Sequence, residues 1–381
     1  MNGIRVLVVI YTNPSAYPPV ERMSAFLHAR GAKVRLLGAS GLETDGITSA
    51  RLDALDLRLT SRKGSGVRAQ LRYLRFLLWA CAHVVIFRPR WVHVSDPLAA
   101  PVGLFATLLR RRLIYQEHDA PVAPPRSISA RLLGRARAVL LRRAEVVVAP
   151  NEERSAALAR EAGRRVETVW NCPARDEIRE RAPGTSGRFR LLYQGSLVPE
   201  RVPPTIIDAL VRDGLDVDLE LIGYETIGSR GYVAQLRQLA SERGMRGSVV
   251  HHEAIDHEAK LALTTSADLG WAVVPARDGN FNDRTMVGAS NKIFEYLACG
   301  VPALVSTDRA WSETFARPGF AIPVDPLDAA AVAAALAWAI EHRGELREMG
   351  ARGRERILSE WNFESAFAPI AARILGTDGA R

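Results

Sequence analysis

Short apolar runs alternate with amphipathic stretches along nearly the whole chain. In the first half Arg5–Ile10, Lys33–Leu37, Trp91–Ser95, Leu113–Tyr115, Glu145–Ala149 and Val166–Val169 read as strands, and Val20–Arg30 reads as a helix ended by Gly31. Strands of this length, separated by helical stretches of 10–15 residues, imply βαβ units and a parallel sheet. Residues 171–187 then turn polar, with Pro173, Pro183, Gly184 and Gly187, a linker composition. The alternation restarts with strands at Arg190–Tyr193, Asp218–Ile222, Ser248–His251, Leu269–Val273 and Ala303–Ser306. Helices are expected near 204–212, 231–243, 257–265 and 291–299, and the alanine-rich segment Ala329–Glu341 is a further one. The pattern therefore predicts an α/β protein of two Rossmann-like, doubly wound domains facing across a cleft, residues 1–180 and 186–361. Ligands in such folds sit beyond the C-terminal ends of the strands, so that cleft is the expected site.

Composition narrows the class without changing this picture. The chain has 381 residues, 48% hydrophobic and 24% charged, which excludes a disordered or fibrous protein. Cys81, Cys172 and Cys299 lie far apart with no C-x-x-C spacing, so a disulfide framework is not expected. Met1-Asn2-Gly3-Ile4-Arg5 leads directly into Val6–Ile10, and the longest apolar run, Phe76–Phe87, has 12 residues, short of the roughly 20 a spanning helix needs. A cytoplasmic protein is the expectation.

Charge is distributed unevenly. Residues 1–185 hold 30 Lys and Arg against 16 Asp and Glu, whereas the remainder is net acidic. Within the basic half, Arg68, Arg72, Arg75, Arg88 and Arg90 interleave with Leu71, Leu74, Phe76, Leu77, Leu78 and Trp79. A second stretch carries Arg126, Arg131, Arg135, Arg137, Arg142 and Arg143. Basic residues among apolar ones suit an anionic membrane surface. For residues 66–90 the alternative expectation is that the apolar side chains face the core while the arginines are merely solvated. No aromatic stacking motif accompanies the arginines, so nucleic acid is not an expected partner.

The most informative segment is Ala289-Ser290-Asn291-Lys292-Ile293-Phe294-Glu295-Tyr296-Leu297-Ala298-Cys299-Gly300-Val301-Pro302. Ser290 suits an N-cap, Gly300 the position after the C-cap, and Pro302 prevents continuation, which frames a short helix. Uncompensated N–H groups at its start favour a phosphate, and Lys292 adds a full positive charge. Asn291, Lys292 and Glu295 share one helix face by their spacing. A cation beside the phosphates and a carboxylate one turn deeper, accepting hydrogen bonds from ribose hydroxyls, suit a nucleoside diphosphate. The bland alternative is an ordinary surface pair of Lys292 with Glu295.

With Tyr193-Gln194-Gly195-Ser196-Leu197-Val198-Pro199-Glu200-Arg201, Leu221-Ile222-Gly223 and Trp361-Asn362-Phe363-Glu364, this segment resembles the retaining GT-B glycosyltransferases of family four. The resemblance implies that Arg201 and Lys292 neutralise the donor diphosphate and that Glu295 holds the ribose. It also implies that Gly195 lets backbone approach the phosphates, that Val250 sits beside the base, and that Gly223, Ser290 and Asn291 line the donor site. Leu113–Asp119 resembles the strand that presents a histidine near the donor sugar, which nominates His118 as a catalytic residue. A C-terminal helix over 362–381 is expected to cross back to the first domain. Departures from the family pattern are Val287 in place of a glutamate, Ser196 in place of an arginine, Thr12-Asn13-Pro14 in place of a glycine pair, and Glu225 in place of a glycine.

The implied reaction moves a hexose from a nucleoside-diphosphate sugar to an acceptor hydroxyl with retention. The acceptor is a glycan, a lipid-linked sugar or a small molecule. No metal and no further cofactor are expected: arginine, lysine and helix N-terminus would stabilise the leaving diphosphate, and His251-His252 reads as a strand end at the cleft rather than a metal site. A sugar-nucleotide epimerase or phosphorylase of the same architecture and a non-catalytic nucleotide-sugar binding protein are the alternatives. A nicotinamide dehydrogenase is disfavoured because no G-x-G-x-x-G follows the first strand.

Overall fold

The computed structural model describes residues 3–41, 46–121, 127–183, 187–253, 255–274 and 281–377. Met1, Asn2, Pro125, Arg126, Gly184, the expected domain start at residue 186 and the chain end from residue 378 lie outside the described residues. The chain divides into two units, Met1–Asn171 with Phe363–Arg381, and Cys172–Asn362. The division thus falls before the polar segment rather than near residue 180. That segment is fastened to the second unit, where Arg179 N–H donates to Ala298 O at 3.0 Å and Ala182 N–H to Thr265 O at 3.1 Å.

In the first unit, strands β1 (Arg5–Ile10), β2 (Lys33–Ser40), β3 (Asp56–Ser61), β4 (Trp91–Ser95), β5 (Arg112–Gln116), β6 (Val146–Ala149) and β7 (Glu167–Thr168) form one parallel sheet in the order β3-β2-β1-β4-β5-β6-β7. Its helices are α1 (Pro18–Ala29), α2 (Gly66–Phe87), α3 (Ala100–Leu108), α4 (Ile128–Arg143) and α5 (Glu152–Ala162). Side chains from α2, α3, α4 and α5 share one buried cluster with Leu7, Val9, Val92, Val94 and Tyr115 of the sheet. The C-terminal segment Phe363–Leu375 packs on α1 through Phe363 and Phe367 against Phe26, and Trp91 Nε1–H donates to Ile374 O at 3.1 Å. Strand β3 is absent from the sequence reading because it is a polar edge strand with no buried position.

The second unit repeats the plan. Strands β8 (Phe189–Gln194), β9 (Val217–Ile222), β10 (Val249–His252), β11 (Leu269–Trp271), β12 (Ala303–Ser306) and β13 (Ala321–Val324) are parallel in the order β10-β9-β8-β11-β12-β13. Its helices are α6 (Thr205–Val211), α7 (Tyr232–Glu242), α8 (His257–Ser266), α9 (Phe281–Arg284), α10 (Asn291–Ala298), α11 (Arg309–Trp311), α12 (Ala329–Glu341) and α13 (Arg343–Ser359); α14 (Phe363–Leu375) is the helix returned to the first unit. Edge strand β13 contains Pro323, which an interior strand would not tolerate.

Helix α2 corrects two expectations. It runs for 22 residues and is, by length and composition, long and apolar enough to cross a membrane, because the apolar pattern continues past Arg75 toward Gly66. It is nonetheless the crossover between β3 and β4 of one sheet, held by buried Phe76, Ala80, His83 and Val84. Leu77 and Trp79 also pack against that core, but part of the apolar pattern faces away from it: Val67, Leu71, Leu74 and Leu78 are exposed, Leu71 by 56% and Leu78 by 65%.

Candidate functional site

The second unit assembles the predicted donor residues on the loops that follow β8 and β9 and on α10. Gly195 leaves β8 at φ +132°, and Gly223 leaves β9 at φ +143°. A Cβ on Gly223 would lie 1.9 Å from Gly195 O, so the two loops touch backbone to backbone. A Cβ on Gly195 would lie 2.9 Å from Lys292 Cε, so the glycine also makes room for the lysine. Helix α10 is fixed from below. Phe294 packs edge-on against Phe315 and Trp361, and Tyr296 donates to Leu192 O at 3.0 Å. Gly350 and Gly353 of α13 let that helix approach so closely that Cβ atoms there would collide with Gly300 O and with the Leu297 side chain of α10.

Ser290 occupies the N-cap position of α10 but makes no side-chain cap bond, contrary to its expected role. The Ser290 side chain therefore takes none of the first-turn N–H groups. Burial, then the neighbouring Arg201 guanidinium, pushes Lys292 down to about 8, with Glu295 opposing. Its ammonium lies 5.5 Å from the Tyr193 ring centroid. Arg201 donates through Nη2 to Asp283 at 3.3 Å, while its Nη1 is buried with no hydrogen-bond partner among the described residues. The Arg201 carbonyl accepts from Trp271 Nε1–H at 2.9 Å, which anchors the loop.

Glu295 does not form the bland surface pair with Lys292. Its side chain is 9% exposed and accepts from Lys260 Nζ at 3.0 Å and Gln194 Nε2 at 2.7 Å. Asn291 Oδ1 is buried and unpartnered among the described residues. Val250 is half-buried on edge strand β10, in register with Glu220. His251 Nε2 meets Gly223 O at 2.9 Å, tying that loop down.

Two departures from the family pattern acquire local reasons. Glu225 accepts from Gly231 N–H at 2.8 Å and Val233 N–H at 2.7 Å, capping α7, and those bonds hold its carboxyl below the usual range. In the first loop, Asn13 Oδ1 accepts from Ser15 N–H at 3.1 Å and builds a short turn where glycines were expected. Val287 lies in the turn before α10.

His118 belongs to the first unit and is described there. It follows β5, half-buried, with Asn171 Nδ2 3.3 Å from Nε2 and the Tyr17 ring edge-on at 5.7 Å. Burial lowers its pKa to about 4, so the ring is neutral at pH 7. Arg154 holds the His118 carbonyl and, at 2.9 Å, Asp119. Asp96, at the end of β4, accepts from His118 N–H at 3.0 Å and from Tyr17 O–H at 3.2 Å.

Sequence reading missed Gln194, Lys260, Asp283, Tyr17 and Asp96. Gln194 and Asp96 carry a usable signal, since each is a polar residue at a strand's C-terminal end. Lys260 and Asp283 reach their partners through tertiary folding and carry none.

Comparison with known families adds the decisive observation. A glycosyl transferase 4-like domain matches residues 18–174, and a glycosyl transferase-like domain matches residues 204–372. The chain belongs to the family-four glycosyltransferases of the GT-B fold. Among curated relatives, it is 26% identical over 210 residues to a GDP-mannose-dependent alpha-(1-6)-phosphatidylinositol monomannoside mannosyltransferase of Mycobacterium tuberculosis. That match takes in 55% of this chain, and the chain spans about half (52%) of that relative's length. Among solved structures, HepE of Anabaena in complex with UDP and glucose superposes with a TM-score of 0.70 at 17% identity, over 97% of this chain and 99% of that one. WaaG, a glycosyltransferase involved in lipopolysaccharide biosynthesis, does so with a TM-score of 0.67 at 14% identity, over 98% and 100%. At such identities these structures carry the fold of this glycosyltransferase and no more.

Proposed function

We propose that this family-four protein transfers a hexose from a nucleoside-diphosphate sugar to an acceptor hydroxyl with retention of anomeric configuration and without a metal. The carrying observation is a cationic pair under electrostatic stress. Lys292 is pushed toward neutrality beside Arg201, and Arg201 keeps a buried donor unpartnered. A diphosphate supplies what both lack, and the start of α10 adds backbone donors. Glu295, steadied by Lys260 and Gln194, accepts from ribose hydroxyls on this reading.

In the reaction, the anomeric carbon–oxygen bond to the diphosphate breaks. The bond to the acceptor oxygen forms on the same face, and the acceptor proton passes to the leaving phosphate oxygen. Arg201 and Lys292 stabilise the charge that develops on that leaving group. The relatives' named ligands make GDP-mannose and UDP-glucose the first donors to test, with phosphatidylinositol lipids among the acceptors. Diphosphate release, followed by NMR of the product's anomeric proton, tests the reading: an inverted product or a metal-dependent rate contradicts it.

The same proposal places the protein in the cytoplasm, peripheral on the inner face of the membrane. Its support is the outer side of α2, where exposed Val67, Leu71, Leu74 and Leu78 recur at helical spacing beside Arg68, Arg72 and Arg75. Residues 57–144 contain 17 Lys and Arg against three acids, although Arg58 and Arg112 pair with Asp56 and Glu145 just outside that stretch. Arg137 is taken up as well: it is buried against Glu117 and Glu161. Each basic residue near an anionic surface contributes about 1 kcal/mol. Flotation with phosphatidylglycerol vesicles is expected, lost in the Leu71→Glu/Leu74→Glu variant; no flotation at low salt contradicts the placement.

A further inference from the structure

The C-terminal edge of the first unit's sheet holds a residue in a conformation that its side chain resists. Asp96 has φ +65° and ψ 162°, a region that is essentially glycine's. Such strain persists only where the surroundings enforce it, and here three contacts do. Asp96 N–H donates to Gln116 O at 2.8 Å, and its carboxylate accepts from His118 N–H and Tyr17 O–H. The residue is nevertheless partly open, as are Tyr17 and His118 beside it. A carboxylate offers about four accepting positions, and among the described residues these two side-chain contacts leave the rest for a ligand.

We propose that Asp96 is an acceptor-binding residue, whose carboxylate takes the hydrogen bond of a sugar or polyol hydroxyl beside His118 and Tyr17. The assignment rests on the glycosyl-transfer reading above and adds the residue that engages the acceptor. The cations nearest it, Arg137 and Arg154, are already paired with Glu117 and Asp119, so none of the groups named here is left to hold the donor's phosphates. A hydroxyl is neutral and donates, which is what this group lacks.

The electrostatics agree. Burial raises the Asp96 carboxyl to about 7, with Asp119 and Glu117 adding to the rise and the His118 N–H and Tyr17 bonds opposing it. The titratable and charged groups facing it are Tyr17, Tyr115, Glu117, His118 and Asp119, with Arg154 behind His118. Because the folded state holds this proton more tightly than the unfolded chain, the group's stabilising effect is present at acid pH and is lost as pH rises through about 7. The ionised carboxylate is thus carried at the expense of stability, the usual mark of a binding residue rather than an anchor.

The test uses the full chain, wild type and Asp96→Asn, melted between pH 5 and pH 8 with and without GDP and UDP. In parallel, diphosphate release from GDP-mannose and UDP-glucose is measured with phosphatidylinositol vesicles as acceptor probe. The Asn variant is expected to answer to the nucleotide as wild type does and to melt above wild type at pH 8, an advantage that shrinks by pH 5. Its release rate is expected to fall about 100-fold and to lose the rise with pH that wild type shows through about 7. A variant that melts at or below wild type at pH 8 makes Asp96 a structural anchor and overturns the proposal, whether or not the acceptor probe is used. Unchanged release with nucleotide binding intact overturns it too, and leaves the donor reading standing. If wild type itself answers to neither nucleotide, the donor reading fails first and this proposal with it.

Discussion

The two units put opposite chemistry on the same scaffold. After β8 and β9 the chain turns on Gly195 and Gly223, whose missing side chains leave space that Lys292 enters and backbone that an anion can approach. After β4 and β5 the turns carry side chains instead: Asp96 in a strained conformation, and His118 held neutral by burial. One strand-end region brings Lys292 and Arg201 together, whereas at the other Arg137 and Arg154 are paired with Glu117 and Asp119. On the reading proposed above, the fold sets where a ligand binds, and the residue at each turn sets whether it is a diphosphate or a hydroxyl.

The sharpest way to break this contrast is to fill the glycine loops. Gly223→Ala places a Cβ against the Gly195 carbonyl and is expected to cost about 3 kcal/mol or more and to abolish nucleotide binding. Gly163→Ala, at φ +66° with nothing within 4 Å of its Cβ, is expected to cost about 1 kcal/mol. Urea unfolding compares the two.

Lys292→Ala comes next, with an expected loss of about 100-fold in kcat/KM for the donor sugar. The pH profile sharpens the same point. Since burial and Arg201 bring Lys292 to about 8, kcat/KM should fall as pH rises past that value, when the cation is lost from the free enzyme. Lys292→Arg should move the fall to higher pH. An unchanged profile in the arginine variant would remove Lys292 from the donor site.

A smaller effect is expected for Lys260→Met, which frees Glu295 from its ion pair: roughly a tenfold rise in the donor's KM with kcat nearly unchanged. Helix α2 gives the smallest effect beside a large one. Phe76→Ala removes a buried ring and should cost about 3–5 kcal/mol. Leu71→Ala, on the exposed stripe, should change stability by no more than about 0.5 kcal/mol.

The contrast also explains what the sequence disclosed. Interior strands such as Trp91–Ser95 and Ala303–Ser306 were legible to the residue, because burial on both faces leaves a mostly apolar run without charged residues. The polar β3 and proline-bearing β13 were not, since an edge strand needs no such run. Lys292 and Glu295 were readable because helix signals are local, and the glycine loops were readable through the resemblance to the family. The Lys260–Glu295 and Arg201–Asp283 pairs were not, because separations of 35 and 82 residues are closed by tertiary folding alone. On α2, composition could not say which way Leu71 and Leu74 face. The burial of Phe76, Ala80 and Val84 on the other side answers it.

The most direct measurement of the donor site is the melting temperature of wild type and Lys292→Ala against GDP and UDP. At 100 times its dissociation constant, the bound nucleotide should add about 2.7 kcal/mol, a shift of a few degrees. The account predicts that shift with at least one of the two nucleotides in wild type and its loss in Lys292→Ala. No shift with either, or an equal shift in both proteins, would contradict it.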